Sequence, residues 1–475
     1  HSFPTRRSSD LKITFFKKKE IIYPKRVWGK YRKIKWLVMI FTLAIYYFAP
    51  WLRWDRGEHV PDQAILIDLP SRKAYFFFIE IWPQEVYYLT GILILSAVAL
   101  FFVTSLLGRV WCGYACPQTV WTDLFVWVER IIQGDRNTRM KLSNGPWTFE
   151  KIWKKTLTHI IWLIIGLMTG GAWVFYFNDA PSLFQDILNF DVSEAVAIWV
   201  IGLTFSTYLM AGFAREQVCT YMCPYARFQS AMFDKDTLIV SYDAQRGEPR
   251  GAHKAGDNWE GKGHCIDCQQ CVVVCPQGID IRNGLQMECI ACGLCVDACN
   301  NIMDKVGLPR GLIKYDTARN IHARLHQLKE KFRIIRPRTI YYTIIMSIIG
   351  GLMVYGLATR SELELNIIHD RNPLFTQLSD GTIRNGYTIH ILNKSHDDKN
   401  YELTIKGLEY NDIRIVSAQE LYPDNLPAFA DSVAQYRVFI SAVKPEKPRK
   451  NFEMVLIDKK TNIKDTVKTV FMSGE

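Results

Sequence analysis

Residues 85–118 read EVYYLTGILILSAVALFFVTSLLGRVWCGYACPQ. After Glu85 comes an uncharged apolar run long enough to cross a bilayer as a helix. It runs out on two thiols, Cys112 and Cys116, followed at once by Pro117. A second stretch, VCTYMCPYA at residues 218–226, also follows an apolar run and sets Cys219 and Cys223 before Pro224. Both read Cys-x-Tyr-x-Cys-Pro, an internal repeat of about a hundred residues. Repeats of this kind place a site where the two halves meet.

Five runs are apolar and long enough to span: Trp36–Leu52, Val86–Leu107, Leu157–Phe177, Val196–Ala214 and Thr339–Ala358. Any one of them could be a buried core helix. Five together, in a chain with 13% aromatic residues, predict a multi-domain integral membrane protein. Its α-helical transmembrane bundle has four helices in residues 36–214 and a fifth at 339–358.

The net charge of +11 over 475 residues would point to nucleic acid if it lay on a soluble domain. Instead, ten Lys and Arg and a single acid, Glu20, fall between Lys12 and Lys35, directly before the first apolar run. That block, residues 12–35, reads as a cytoplasmic arm that sets topology and holds anionic lipid. The bilayer is therefore an expected partner and nucleic acid is not. Residues 1–11, HSFPTRRSSDL, look like a translated sequencing adapter and are set aside as non-native.

Loop charge gives the orientation. The segment after the second run carries Arg130, Arg136, Arg139, Lys141, Lys151, Lys154 and Lys155. The segment 178–195 has Asp179, Asp186, Asp191 and Glu194 and no Lys or Arg. Positive loops stay inside. Both thiol pairs and residues 215–338 are then cytoplasmic, and the fifth span exports residues 359–475.

All twelve cysteines lie between Cys112 and Cys299, and eight of them form CIDCQQCVVVCP (265–276) and CIACGLCVDAC (289–299). Each is C-x2-C-x2-C-x3-C. Zinc sites pair cysteines two by two across a longer spacer. Three thiols at two-residue gaps instead wrap three corners of an iron–sulfur cube, and the fourth thiol reaches the other cube. The spacing thus assigns Cys265, Cys268, Cys271 and Cys299 to one [4Fe–4S] cluster, and Cys289, Cys292, Cys295 and Cys275 to another. Asn300 stands where Pro276 follows the first set, which leaves the ligands untouched. His264 reads as a surface residue, since the thiol count is complete. The polar stretch SYDAQRGEPRGAHKAGDNWEGKG, 241–263, reads as a mobile tether.

Spacing of four puts the two sulfurs of each membrane pair on one helix face, and the prolines would disrupt the helix there. Four soft ligands near one membrane surface favour Cu(I), zinc or iron–sulfur. The plain alternative is that they are small packing residues. Met210 and Met222 read as packing residues, and His159 as a hydrogen-bonded helix histidine. After Ser361 the pattern changes to short alternating strands, among them Tyr387, Ile389, Ile391 and Tyr436, Val438, Ile440. These predict a C-terminal all-β sandwich without cysteine.

Basic arm, WCGYACPQTVW (111–121), VCTYMCPYARFQ (218–229), a two-cluster ferredoxin-like insert, a last span and an Ig-like tail resemble one family. It is the cytochrome c oxidase accessory family CcoG/FixG/RdxA, membrane polyferredoxins of the bacterial inner membrane. The resemblance implies a role in assembling cbb-type cytochrome c oxidase by reducing Cu(II) to Cu(I). It implies Cys112, Cys116, Cys219 and Cys223 as the catalytic, copper-facing thiols, with the eight ferredoxin cysteines as electron carriers. A cytoplasmic electron donor, oxidase assembly factors as partners and a periplasmic tail follow from it. Two other functions compete. A quinol-linked electron-transfer subunit needs a quinone pocket between spans, where His159 is the available group. A non-enzymatic assembly scaffold would act through the tail.

Overall fold

The computed structural model describes residues 21–57, 60–253, 259–329, 331–416 and 421–474. The adapter-like residues 1–11 lie outside the described residues, as do 12–20 of the basic arm. The chain divides into two compact units. One takes in residues up to Trp51 with 65–74 and 81–350; the other holds 52–64, 75–80 and 351 onward.

Among the described residues, the helices long and apolar enough to cross a membrane are Lys30–Trp51, Pro83–Leu107, Phe149–Val174, Glu194–Met222 and Pro337–Ala358, the residues of the last falling in both units. Their bounds differ from the sequence reading where hydropathy ends before the helix does. The fourth helix does not stop at Ala214 but continues to Met222, through two wide π-helical turns at Met210–Ala214 and Val218–Met222. Cys219 thus lies within that helical rod. The third begins at Phe149, where the Thr148 side chain accepts from the Lys151 N–H. Leu352, Val354 and Tyr355 of the last helix are each about two-thirds exposed. A row of uncovered apolar side chains of this length calls for lipid or another protein.

The prolines act differently from expectation. Pro117 and Pro224 do not break a helix from within; each opens a new one, Pro117–Gln133 and Pro224–Met232. The fixed φ of proline suits the first helical position, where its missing N–H costs nothing. Cys116 and Cys223 precede them in extended backbone, with ψ of 128° and 110°. The two thiols of each pair therefore do not sit on one continuous helix face.

The described part of the basic arm packs into the protein. Arg32 and Lys35 are buried, 4% and 3% exposed, and both face Asp123. Upstream, the Lys25 N–H donates to the Val273 carbonyl beside the cysteine run. Asp297, in the helix Leu294–Lys305, accepts from the N–H groups of Tyr31 and Arg32 at 3.2 and 2.8 Å. A carboxylate at a helix start satisfies N–H groups that have no partner within the helix. It ties the arm to the cysteine-bearing segment.

Strands β1 (Ile65–Asp68), β2 (Lys73–Phe76) and β3 (Ile79–Ile81) lie in the segment between the first two long helices. The expected tether begins as ordered structure. β4 (Leu238–Tyr242) pairs antiparallel with β5 (Ile313–Thr317), on the far side of the cysteine runs in sequence. Residues 254–258 of that stretch lie outside the described residues.

The second unit carries β6 (Leu363–His369), β7 (Thr376–Gln377), β8 (Ile383–Asn393), β9 (Lys399–Lys406), β10 (Asp412–Val416), β11 (Leu426–Ala428), β12 (Ser432–Ala442), β13 (Arg449–Asp458) and β14 (Lys464–Met472). One sheet runs β10-β12-β8-β6 with β7 beside β8, and the other β11-β9-β13-β14. Alternation decides the inner faces, since successive side chains of a strand point opposite ways. Tyr387, Ile389, Ile391, Val438 and Ile440 are fully buried, against Leu403, Met454 and Leu456 of the other sheet. Burial of each such side chain contributes roughly 1.5–3 kcal/mol.

Candidate functional site

The two cysteine runs wind alike. In the first, Asp267 and Gln269 take positive φ of 51° and 54°; in the second, Ala291 and Gly293 take 51° and 72°. These are the same positions of the C-x2-C-x2-C repeat. Left-handed backbone at a residue other than glycine is costly and persists where a site demands it. Alternating the hand of successive residues turns N–H groups inward and makes a concave nest for an anion.

Each run opens on a cavity. One is lined by Cys265, Cys268, Cys271 and Cys299 among apolar neighbours including Ile302 and Leu312. The other is lined by Cys275, Cys289, Cys292 and Cys295, with Cys271 in its wall as well. The fourth cysteine of each run thus lines the other run's cavity, as the spacing predicts. Burial pushes the thiols of Cys275 and Cys299 up to about 12. A thiol held that way gives up its proton only when a metal's charge takes its place. Among the described residues no three His, Cys, Asp or Glu side chains converge as on a single metal ion. A cube is bound at four separate irons, so its thiolates stand apart. The residues present therefore fit two [4Fe–4S] clusters. We predict that Cys275→Ser disturbs the cluster of the Cys289, Cys292 and Cys295 set rather than that of its own run. EPR of the reduced protein checks it, and loss of the other signal refutes the crossed ligation.

The first Cys-x-Tyr-x-Cys-Pro pair lies against the second cavity. Cys112 sits on the short helix Val110–Tyr114 and packs against the buried cluster that includes Ile290, Cys292 and Leu294. Gly113 makes that contact possible. A Cβ there would lie 2.7 Å from the Ile290 carbonyl oxygen and 3.0 Å from Cys292 Cα. The backbone of the membrane motif is thus in direct contact with the loop between Cys289 and Cys292. Tyr114 next door donates to the Cys292 carbonyl at 3.0 Å, and Tyr315 donates to that of Ala291 at 2.5 Å. Arg109 reaches the carbonyls of Met287, Cys289 and Ala226, so it clamps the first motif, the cysteine loop and the helix after the second motif.

The second pair approaches the first. Cys112 and Cys116 each lie within electrostatic range of the other pair, Cys112 of both Cys219 and Cys223, Cys116 of Cys223. Cys112 Sγ donates to Gln229 Oε1 at 3.3 Å, and Gln229 is wholly buried on the helix that Pro224 starts. Burial, with Cys116 beside it, pushes the Cys112 thiol up to about 12 against the pull of Arg109. The four sulfurs gather without closing on one point.

Other candidates are placed more plainly. His159 Nδ1 meets the Tyr208 hydroxyl at 3.0 Å, a hydrogen-bonded helix histidine. His264 is half-buried and accepts from Arg246 Nε at 2.8 Å, so it is not a free surface residue. Met210 and Met222 are 38% and 60% exposed rather than packed. Sequence reasoning missed Arg109, Gly113 and Gln229. Only Gly113 left a signal, because the second motif has Thr220 in its place.

Comparison with known proteins agrees with this arrangement. A model of a 4Fe-4S dicluster domain matches residues 214–318, and one of a 4Fe-4S binding domain matches 89–135. The IG-like fold at the C-terminal of FixG matches 353–474. The chain is 45% identical to the nitrogen fixation protein FixG of Rhizobium meliloti, over 96% of this chain and 93% of that one. It is 49% identical to protein RdxB of Cereibacter sphaeroides over 82% of this chain and 83% of that one. With protein RdxA of the same organism the identity is 44% over 90% of each. Identities of 44–49% over most of both chains, with the FixG C-terminal match, show the family: the chain belongs to the CcoG/FixG/RdxA family of iron–sulfur electron-transfer proteins.

Proposed function

We propose that this chain reduces Cu(II) to Cu(I) at Cys112, Cys116, Cys219 and Cys223, for assembly of a cbb-type cytochrome c oxidase in the bacterial inner membrane. The observation that carries the reading is the contact of Gly113 with Ile290 and Cys292, which leaves no side chain between the thiol motif and the cysteine loop. Two [4Fe–4S] clusters, when bound, supply one-electron transfer. Cys265, Cys268, Cys271 and Cys299 would hold one, and Cys275, Cys289, Cys292 and Cys295 the other. Cys268 is exposed and offers the side at which a cytoplasmic donor docks. Cys271 lines both cavities, so the two sites share a wall.

Reduction of Cu(II) takes one electron and releases no group, which matches one-electron delivery. Thiolates are soft and hold Cu(I) in preference to harder ions. Two of them suffice for a linear Cu(I) complex, so four gathered sulfurs can pass the ion between pairs. The apolar helices lie in the membrane in this reading, the ferredoxin segment is cytoplasmic and the Ig-like tail is periplasmic, following loop charge.

Cys219→Ser is expected to retain the iron of both ferredoxin sites and to bring Cu(II) reduction down to the uncatalysed background. A Cu(I)-chelator assay with iron analysis on the same sample reads both quantities. Unchanged reduction would exclude the thiols as the copper site. A second reading rests on the match of 89–135, which holds Cys112 and Cys116, to a 4Fe-4S binding domain. In that reading the membrane thiols hold iron–sulfur themselves, and the same variant loses iron.

A further inference from the structure

An open cleft lies beside the thiol site, between the start of the helix Phe149–Val174 and the π-helical part of Glu194–Met222. Lys155, His159 and Trp162 line it from the first helix, and Phe213, Arg215 and Glu216 from the second. We propose that this cavity binds a quinone ring. The proposal goes beyond copper reduction, which needs no such ligand.

The walls are aromatic and flat. His159 stacks on Phe213 with ring centres 5.8 Å apart and planes 11° from parallel. It meets Trp162 edge-on, at 5.2 Å and 90°. Planar rings set at right angles and in parallel suit a planar ligand better than a flexible one. Glu129, Gln133, Ser143 and Thr158 complete the wall with polar groups, beside the apolar Ile21 and Ile22. Lys155 and His159 are four residues apart, so they share one helix face. Tyr208 engages His159 at Nδ1 and fixes the ring, which leaves Nε2 for a ring carbonyl or hydroxyl. The Lys155 ammonium is a donor of the same kind.

The charges argue against a free anion or a phosphate headgroup. Arg215 is already committed, with two bonds to Glu129 at 2.7 and 3.2 Å and one to the Gly212 carbonyl at 2.8 Å. Glu129 is also held by Arg139 at 3.2 Å. Of the lining residues, Lys155 and Arg215 stand against Glu129 and Glu216, and Arg139 behind Glu129 adds one cation in excess, so most of the charge here is already paired. Its place favours a lipid-soluble ligand: it lies at the ends of two helices long and apolar enough to cross a membrane, and Phe213 is 44% exposed. The π-helical turn at Met210–Ala214 widens the helix at Gly212 and Phe213, and such turns recur at functional sites. Ile22, Arg215 and Glu216 also line a second cavity, which Cys219 reaches. A ring bound here therefore neighbours the thiol site.

The test is a calorimetric titration of ubiquinone-1 into the full chain held in lipid nanodiscs. One saturable site is expected. His159→Ala, Lys155→Met and Trp162→Leu should each weaken binding by about tenfold or more, with circular dichroism melts confirming that each variant is folded. Trp147→Phe, at a residue outside the cavity and 76% exposed, should leave binding unchanged. Should one variant fail to fold, the other two still decide. Non-saturable uptake, or saturable uptake indifferent to all three variants, overturns the proposal. So does displacement of ubiquinone-1 by phosphatidylglycerol from wild type but not from Lys155→Met, which would assign the cavity to lipid. Because the readout is binding, with no copper present, failure here leaves the copper reading standing.

Discussion

Gly113→Val is expected to cut the proposed copper reduction by about a hundredfold while both ferredoxin sites keep their iron. The added Cβ would stand 2.7 Å from the Ile290 carbonyl oxygen, 3.0 Å from that of Ala291 and 3.0 Å from Cys292 Cα. All three are backbone atoms of a loop wound by left-handed residues, so none can swing aside as a flexible side chain would. The motif and the loop must separate. A displacement of about 1 Å in a reacting assembly costs about a hundredfold in rate. Overpacking also lowers stability by about 1–3 kcal/mol, too little to unfold a domain of ordinary stability. The measurement is copper reduction per bound iron. Equal rates in the variant and the parent would show that the contact carries no current. Gly113→Ala should fall between the two, because its single methyl still meets the same carbonyl.

The second large effect is on stability. Asp123→Ala should destabilise the helical unit by about 3–5 kcal/mol, the cost of stranding buried charge. Asp123 accepts two bonds from Arg32 Nη1, at 2.9 and 2.8 Å, and Lys35 Nζ stands 3.9 Å away. All three side chains are buried. Removing the carboxylate leaves two cations facing each other without solvent. Replacing Arg32, Lys35 and Asp123 together by Met, Met and Leu should recover most of the loss, since apolar groups of similar volume replace such clusters at little cost. Thermal unfolding in detergent, followed by circular dichroism, compares the two. A single variant as stable as the parent would remove this ion cluster from the account of how the arm is held.

Acid should act through the same carboxylate. Burial works to raise Asp123, but the charges of Lys35 and Arg32 outweigh it and hold the carboxyl below its usual range. A carboxylate depressed in the folded state stabilises fully above its unfolded value of about 3.9 and loses that contribution as pH falls through the lower, folded value. The cluster is thus intact at neutral pH and fails only in strong acid.

Much of this site could be read from local pattern. Two-residue gaps and a three-residue gap in each cysteine run are the pattern of crossed ligation, in which the fourth thiol serves the other cube. The same two sets of four line the two cavities. Strict alternation placed Tyr387, Ile389 and Ile391 on one face of β8, and that face is the buried one. Span ends were read less well. Hydropathy falls off after Ala214, yet backbone hydrogen bonding carries the helix past polar residues to Met222. By local pattern Pro117 and Pro224 predict breaks, whereas each supplies the fixed φ at which a helix starts.

What the amino-acid order alone determined is whatever depends on near neighbours: the cysteine sets, the apolar lengths, the strand alternation and the basic arm. What only the tertiary structure decided is which remote segments touch. Gly113 against Ile290, Gln229 on Cys112, Asp297 over the start of the first long helix and Asp123 between Arg32 and Lys35 each join residues about 90 or more positions apart. No periodicity encodes such pairs. They follow from how helices of given length and shape pack, and a single glycine without a side chain sets how closely two backbones can approach.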